Sequence, residues 1–142
     1  MPYRVTFALD LFRGDKEREL SRESLNLMLE TLFKLNILYL RRHPETPLVY
    51  QSGVRYMEEP PGQEEWQDIP TCLEQGCADC EDLASWRAAE LNVSYGIKAY
   101  PFFIEQRRAD GSYLYHILVQ WPPSPQHPKG YVEDPSKILG MR

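Results

Sequence analysis

The stretch GCADCEDLASWRAAELN (residues 76–92) decides the fold, because it begins a helix and places a cysteine in the first turn. Asp79 is a good N-cap, and Asp82 follows three residues later, where its carboxylate reaches back to the backbone. Apolar residues then recur at helical spacing, which predicts a helix over residues 80–92. Cys80 therefore lies at the positive end of a helix dipole, and this position favours its thiolate form.

Length and composition indicate one globular domain. The chain has 142 residues, of which 42% are hydrophobic and 12% aromatic, enough for a single core. A formal net charge of −5 leaves no basic footprint, so no nucleic-acid partner is expected. Neither a signal peptide nor a membrane-spanning stretch is visible, and no membrane partner is expected. Three cysteines, an odd number, argue against a secreted disulfide framework.

A long amphipathic helix dominates the N-terminal half of the chain. Residues 3–9 alternate between apolar and polar, which predicts a short strand before it. Residues 16–42 then follow helical spacing, with Leu35 in the buried face and either Asp15 or Ser21 as the cap. Apolar residues extend beyond that face, so the helix is predicted to be central and covered on two sides.

The remaining segments predict an antiparallel meander after the helices. Residues 48–57 indicate a broken strand, and the acidic, proline-rich residues 58–68 an exposed connection. Asp110-Gly111 predicts a tight hairpin turn between the first two of three C-terminal strands. These strands are expected at residues 97–106, 112–121 and 130–134. This order defines an α+β fold in which helices pack on an antiparallel sheet.

Activation of the Cys80 thiol requires an imidazole, and His116 is the best placed of the three histidines. His43 and His127 each precede a proline in loop-like segments, which hold a base poorly. His116 lies within a predicted strand, although a lone histidine between leucines more often has a structural role. If the next strand is its neighbour, Asp134 accepts from the His116 ring and fixes its tautomer. Such a triad is expected to lower the pKa of the Cys80 thiol well below its ordinary value.

Three segments together resemble the transglutaminase-like cysteine-hydrolase superfamily. They are CEDLASWRAAELNVSYGIKA from residue 80, YHILVQ from residue 115 and YVEDPS from residue 131, in the order Cys, His, Asp. Within them, ADCEDLA is most similar to the bacterial transglutaminase-like cysteine peptidases. The resemblance covers residues 76–136 and implies a papain/transglutaminase-like fold with the nucleophile at the N-terminus of a helix. Residues 1–75 then form the helical part of the same single domain, residues 1–142.

The resemblance implies thiol-dependent acyl transfer on an amide bond, as a peptidase, an amidase or a transglutaminase. Cys80 is then the nucleophile, His116 the base and Asp134 the orienting carboxylate. Gln75 is a weak candidate for the oxyanion donor, because its spacing is one residue short of the papain pattern. The backbone N–H of Cys80 is the stronger candidate, since a helix N-terminus presents it.

Calcium is a further implication of the resemblance. In the resembling peptidases that cleave bacterial adhesins, carboxylates flanking the catalytic cysteine bind calcium, and the matching positions are Asp79, Glu81 and Asp82. These are hard oxygen ligands of the right kind, although the acyl-transfer chemistry itself requires no cofactor. The simpler interpretation is helix capping by Asp79 and Asp82, with Glu81 exposed.

The partner implied by the resemblance is a protein or peptide substrate. The C-terminal EDPSKILGM is also similar to proteins encoded by tailed bacteriophages. That similarity implies virion proteins as partners, and a location in the host cytoplasm or on the virion.

Alternative interpretations use the same residues differently. Cys72, Cys77, Cys80 and His116 offer four zinc ligands, although the usual second Cys-x2-Cys knuckle is missing. A redox pair of Cys77 and Cys80 lacks the preceding buried strand of thioredoxin-like proteins. A virion structural or assembly protein would keep the fold as a scaffold, without catalysis.

Overall fold

The computed structural model describes residues 3–6, 8, 18–60, 64–107, 109–111 and 113–142. Within these ranges the helices are α1 (Arg18–Arg42), α2 (Ile69–Gln75), α3 (Cys80–Tyr95) and α4 (Pro135–Ile138). The strands are β1 (Arg55–Tyr56), β2 (Cys77–Ala78), β3 (Tyr100–Arg107), β4 (Tyr113–Trp121) and β5 (Tyr131–Glu133). A short 3-10 helix, Val49–Gln51, precedes β1.

The larger sheet is an antiparallel meander in the order β3-β4-β5. β3 pairs with β4 along its whole length, whereas β5 pairs only with the end of β4, between Val119 and Trp121. Gly111, with a φ of 88°, supplies the left-handed residue of the connection between β3 and β4. The predicted α+β class and the meander are confirmed, with strand bounds that differ by a few residues.

A parallel pair of short strands lies just before α3. β1 pairs with β2 through Arg55↔Cys77 and Tyr56↔Ala78. The predicted broken strand at residues 48–57 is thus a 3-10 turn followed by β1. β2 leads directly into the N-cap of α3, so this pairing fixes the approach of the chain to Cys80.

α3 is the buried centre of the fold. It packs against α1 and α4 and also against β3 and β4 of the sheet. Its N-terminus has the predicted capping box, in which Asp79 and Asp82 accept from each other's backbone N–H. The helix extends to Tyr95 and ends at Gly96, whose φ of 64° provides the left-handed stop.

Two groups of buried apolar residues meet at α3. Leu83, Trp86 and Ala89 of α3 point into the first group, the helix-side cluster. Its other members are Leu40, Val49, Val54, Ile69, Cys72, Ala78 and Leu139. The sheet-side cluster contains Leu29, Ala84, Ala88, Leu91, Ala99, Ile117 and Val119. Because both flanks of α3 are covered, this helix is buried around most of its circumference, its polar residues included.

The N-terminal predictions fail in several respects. Residues 3–6 and 8 form no strand, and residues 7 and 9, the rest of the predicted strand, lie outside the described residues, as does the proposed cap Asp15. Ser21 lies inside α1 rather than at its start. Leu35 is 52% exposed, and Leu38 is exposed beside it. Among the described residues, the buried positions of α1 lie on one face, which packs against α3 and β3, so the opposite face carries exposed leucines.

Candidate active site

The Cys80 thiol lies at the start of α3, beside the part of β4 that does not pair with β5. β5 pairs back only to Val119 of β4. Two residues earlier, the backbone N–H of Ile117 donates to the Cys80 sulfur. The thiol itself points to Glu81, with 3.5 Å between Sγ and Oε2. Cys80 therefore contacts β4 at Ile117, the residue that follows His116 in the chain.

His116 and Asp134 form the contact predicted from strand alternation. The distance between His116 Nε2 and Asp134 Oδ2 is 2.9 Å, and both side chains are largely buried. Val119 pairs with Glu133, so Asp134 follows on the opposite face of the sheet, the face that also carries His116. Asp134 Oδ1 accepts from the Lys137 N–H of α4 at 3.3 Å. Each oxygen of the Asp134 carboxylate therefore has one hydrogen-bond partner.

This geometry assigns the two nitrogens of the His116 ring. An ionised carboxylate only accepts hydrogen bonds, so the proton of the His116–Asp134 contact belongs to Nε2. Nδ1 then carries the lone pair that can take a proton from a thiol. Among the hydrogen bonds of the described residues, none joins Cys80 to His116. The structure brings the imidazole and the carboxylate together and leaves the thiol in contact with Glu81.

The expectation of a low thiol pKa is wrong for this arrangement. Burial raises the pKa of Cys80, and the carboxylates of Glu81 and Asp79 raise it further. The hydrogen bond from Ile117 opposes this rise but does not outweigh it. Solvent would screen the neighbouring carboxylates and weaken their effect if they pointed outward. They are buried instead, so Cys80 is a neutral thiol in this structure.

Three carboxylates surround the start of α3. Asp79, Glu81 and Asp82 are all buried, which corrects the interpretation that Glu81 is exposed. Glu59 joins them, because its backbone N–H donates to Asp79 Oδ2 at 3.3 Å. The Gln67 N–H donates to Asp82 Oδ1 at 2.7 Å. Glu59 and Gln67 therefore tie the described residues of this segment, 58–60 and 64–68, to the helix start, and these residues are not a simple exposed connection.

Four carboxyl groups, those of Glu59, Asp79, Glu81 and Asp82, form this acidic cluster, and the neutral form is favoured at Glu59, Glu81 and Asp82. Burial raises the pKa values of Glu81 and Asp82 well above their ordinary value, and the neighbouring carboxylates add to this. Burial also raises the pKa of Glu59 to about 7. Two oxygens, Glu59 Oε1 and Glu81 Oε1, are buried with no hydrogen-bond partner among the described residues.

The acidic cluster fits a hard divalent cation. One oxygen each from Glu59, Glu81 and Asp82 lie within 4.8 Å of one another. Asp79, Cys80 and Glu81 form a second group of the same kind. Carboxylate oxygens are hard ligands of the kind that calcium takes in proteins. Glu59 has no signal in the sequence, because its contact with α3 depends on the path of a proline-rich loop.

The two proposed oxyanion donors lack support. Gln75 is exposed at the end of α2, and no described contact joins it to Cys80. The backbone N–H of Cys80 is occupied, because it donates to Asp79 Oδ1 at 2.6 Å. The sequence argument overlooked that the residue capping the helix uses the same donor.

The proposed zinc ligands are not brought together. Cys72 is fully buried, and its thiol donates to the backbone oxygen of Gln67 at 3.7 Å. In the described ranges, the groups of residues close enough to share a metal ion include Cys80 but neither Cys72, Cys77 nor His116. Cys72 belongs instead to the helix-side cluster.

Comparisons of the chain with protein-family models, with curated proteins and with solved structures find no match. The resemblance of the three motifs to the transglutaminase-like hydrolases therefore remains a prediction. Separately, the described part of the chain contains no helix whose length and apolar content would allow it to cross a membrane.

Proposed function

We propose that the protein is a thiol-dependent acyl-transfer enzyme that acts on amide bonds, with a papain/transglutaminase-like arrangement of Cys80, His116 and Asp134. The main support is the 2.9 Å contact between His116 and Asp134, made between residues 18 positions apart. The same strand that positions His116 also donates to the Cys80 sulfur through Ile117.

Cys80 Sγ forms a bond to the carbonyl carbon of the substrate, and its proton passes to His116 Nδ1. The C–N bond then breaks, and the amine leaves with that proton. Water or a second amine attacks the thioester, His116 accepts and returns a proton, and Cys80 is released as the thiol. Asp134 keeps the Nε2–H oriented and stabilises the imidazolium. Before attack, the thiol exchanges its contact with Glu81 for one with His116.

A generic activated ester tests this function without knowledge of the substrate. Incubation with p-nitrophenyl acetate is expected to release p-nitrophenol and to leave an acetyl group on Cys80, detected by mass spectrometry of peptides. Cys80→Ala should abolish both, and His116→Ala should lower the rate by about 100-fold or more. Cys77→Ala is the matched control, since it removes a partly buried thiol three residues away. Acylation that persists in Cys80→Ala would contradict the proposal and favour a scaffold without catalysis.

Calcium is proposed as a ligand of the acidic cluster. Glu59, Glu81 and Asp82 would hold it, and its charge would offset the carboxylates that keep the Cys80 thiol neutral. Millimolar CaCl2 at pH 7.5 is expected to raise the melting temperature of the wild-type protein but not that of Glu81→Gln. A similar rise in both proteins would show that calcium binds elsewhere.

On the basis of the motif resemblance, we propose that the substrates are protein or peptide amides. We propose on the same basis that the protein acts in the virion or in the host cytoplasm. A panel of casein, gelatin and amine-donor assays separates hydrolysis from transamidation. Incorporation of a fluorescent amine into casein would indicate transamidation, whereas casein cleavage alone would indicate a peptidase.

A further inference from the structure

A buried ionic network lies beside the candidate triad and takes no part in its chemistry. Glu133 is buried at the end of β5, and one of its oxygens accepts from Arg87 Nε of α3 at 2.7 Å. Tyr50 OH donates to the same oxygen, and Trp121 Nε1 donates to the other at 3.0 Å. Three donors from three separate parts of the chain thus converge on a single carboxylate.

The network continues along α3. Arg87 NH1 lies 2.8 Å from Glu90 Oε2, and the other oxygen of Glu90 accepts from the Val49 N–H at 2.8 Å. The Arg87 guanidinium also lies over the Tyr50 ring, 4.9 Å from its centre. Arg87 therefore bridges two carboxylates, of which only Glu133 is on the strand that leads to the triad.

Glu133 is covalently joined to Asp134, and their side chains point to opposite faces of the sheet. Glu133 faces α3, where Arg87 holds it, and Asp134 faces His116. Successive Cα atoms are separated by about 3.8 Å, so a shift of one residue moves the other. The same helix that carries Cys80 at its first turn thus determines where β5 ends.

Stability alone gives a poor reason for this network. It buries two carboxyl groups against one guanidinium. Removing such charges from water is costly, and apolar residues of similar size commonly stabilise a core as well or better. A role in orientation explains the network better, because the Arg87–Glu133 contact sets the distance between α3 and β5.

We propose that the Arg87–Glu133 ion pair positions Asp134 against His116 by fixing the end of β5 to the helix that carries Cys80. The inference rests on the proposed acyl-transfer function and deepens it. Arg87 and Glu133 are positioning residues, since neither touches the reacting atoms. Glu90 shares the same guanidinium but anchors the segment at Val49, away from the triad.

The test compares Glu133→Gln with the matched variant Glu90→Gln. Each removes one buried carboxylate from Arg87, so both should lose a similar amount of stability in urea. The His116 ring Nε2–H is followed in protein with 15N-labelled histidine, because a buried N–H bonded to Asp134 exchanges slowly enough to be seen. This signal should be lost or shifted in Glu133→Gln and unchanged in Glu90→Gln. In the p-nitrophenyl acetate assay, Glu133→Gln should lower kcat by ~10- to 100-fold, with KM little changed.

The outcomes separate this inference from the proposed function. An unaltered His116 signal in folded Glu133→Gln, or equal effects in both variants, would overturn the positioning role. Absence of ester turnover in the wild-type protein would count against the proposed function, while the ring signal would still decide the positioning role. If Glu133→Gln does not fold, Trp121→Phe removes a single donor to Glu133 and should produce a smaller change in the same His116 signal.

Discussion

At the scale of single residues, the state of the thiol depends on neighbours whose burial the sequence does not reveal. The Cys80 position at a helix start favours a thiolate, yet burial of the thiol raises its pKa, and the carboxylates of Glu81 and Asp79 raise it further. His116 and Asp134 could be predicted, since strand alternation places them on one face. Glu59 could not be predicted, because the contact of a loop residue with a helix about 20 positions later in the chain leaves no periodic signal in the sequence.

The pH dependence of stability is expected to reflect Glu59. Its pKa is raised from 4.5 to about 7, mainly by burial, so the folded protein binds a proton there more tightly than the unfolded chain. That proton stabilises the fold fully below pH 4.5, and the gain is lost as the pH rises through 7. The melting temperature should therefore rise as the pH is lowered from about 8 to about 6.

Glu59→Gln should reduce this rise, whereas Glu23→Gln, which removes an exposed carboxylate of α1, should leave it unchanged. Differential scanning fluorimetry across the pH series provides the measurement. An identical pH profile in wild type and Glu59→Gln would show that Glu59 does not contribute. The residual rise in Glu59→Gln is assigned to Glu81 and Asp82, whose pKa values burial also raises.

At the scale of elements, the predictable parts are those with local signals. α3 has a capping box, a regular apolar spacing and a glycine stop, and the meander has alternation and a turn signal, so both were predicted. α2 was missed because its seven residues, IPTCLEQ, are too few for a periodic pattern. The open face of α1 was missed because leucine on a helix predicts burial, whereas only packing partners decide which leucines are covered.

The N-cap of α3 is expected to contribute measurably to stability. Asp79→Ala removes the acceptor for the first helical N–H groups and should cost ~1–2 kcal/mol in urea unfolding. Asp79→Asn keeps an acceptor and removes one charge from the acidic cluster, so its stability should match or exceed that of wild type. Equal losses in both variants would show that the charge, and not the cap, is what matters.

The observed orientation of α1 predicts which of its leucines contribute to stability. Leu32 is buried and Leu35 is 52% exposed, one helical turn apart. Leu32→Ala should cost ~2–5 kcal/mol of unfolding free energy, and Leu35→Ala no more than ~0.5 kcal/mol beyond its small propensity change. Comparable losses in guanidinium unfolding would mean that another surface covers Leu35.

At the scale of the whole molecule, α3 joins the two apolar clusters. Leu83, Trp86 and Ala89 enter one cluster, and Ala84, Ala88 and Leu91 enter the other. Phe33 of α1 packs against both. Neither cluster can persist when the central helix is lost, so the two behave as one core.

Equilibrium unfolding is therefore expected to be a single transition. Far-UV circular dichroism follows the helices, and the combined fluorescence of Trp66, Trp86 and Trp121 follows the packing of both clusters. The midpoints from both probes should coincide within error. Two separate midpoints would show that the N-terminal helices and the sheet unfold independently, and the single-domain prediction would then be wrong.

The central position of α3 also has a consequence for amide hydrogen exchange. Its middle turns are enclosed on both flanks, so their N–H groups should exchange only when the entire chain opens. Cys80, the proposed nucleophile, thus extends from the element that is expected to exchange most slowly. Substitutions remote from the thiol would then lower acyl-transfer rates in proportion to the fraction of molecules unfolded, with the chemistry of each intact molecule unaltered.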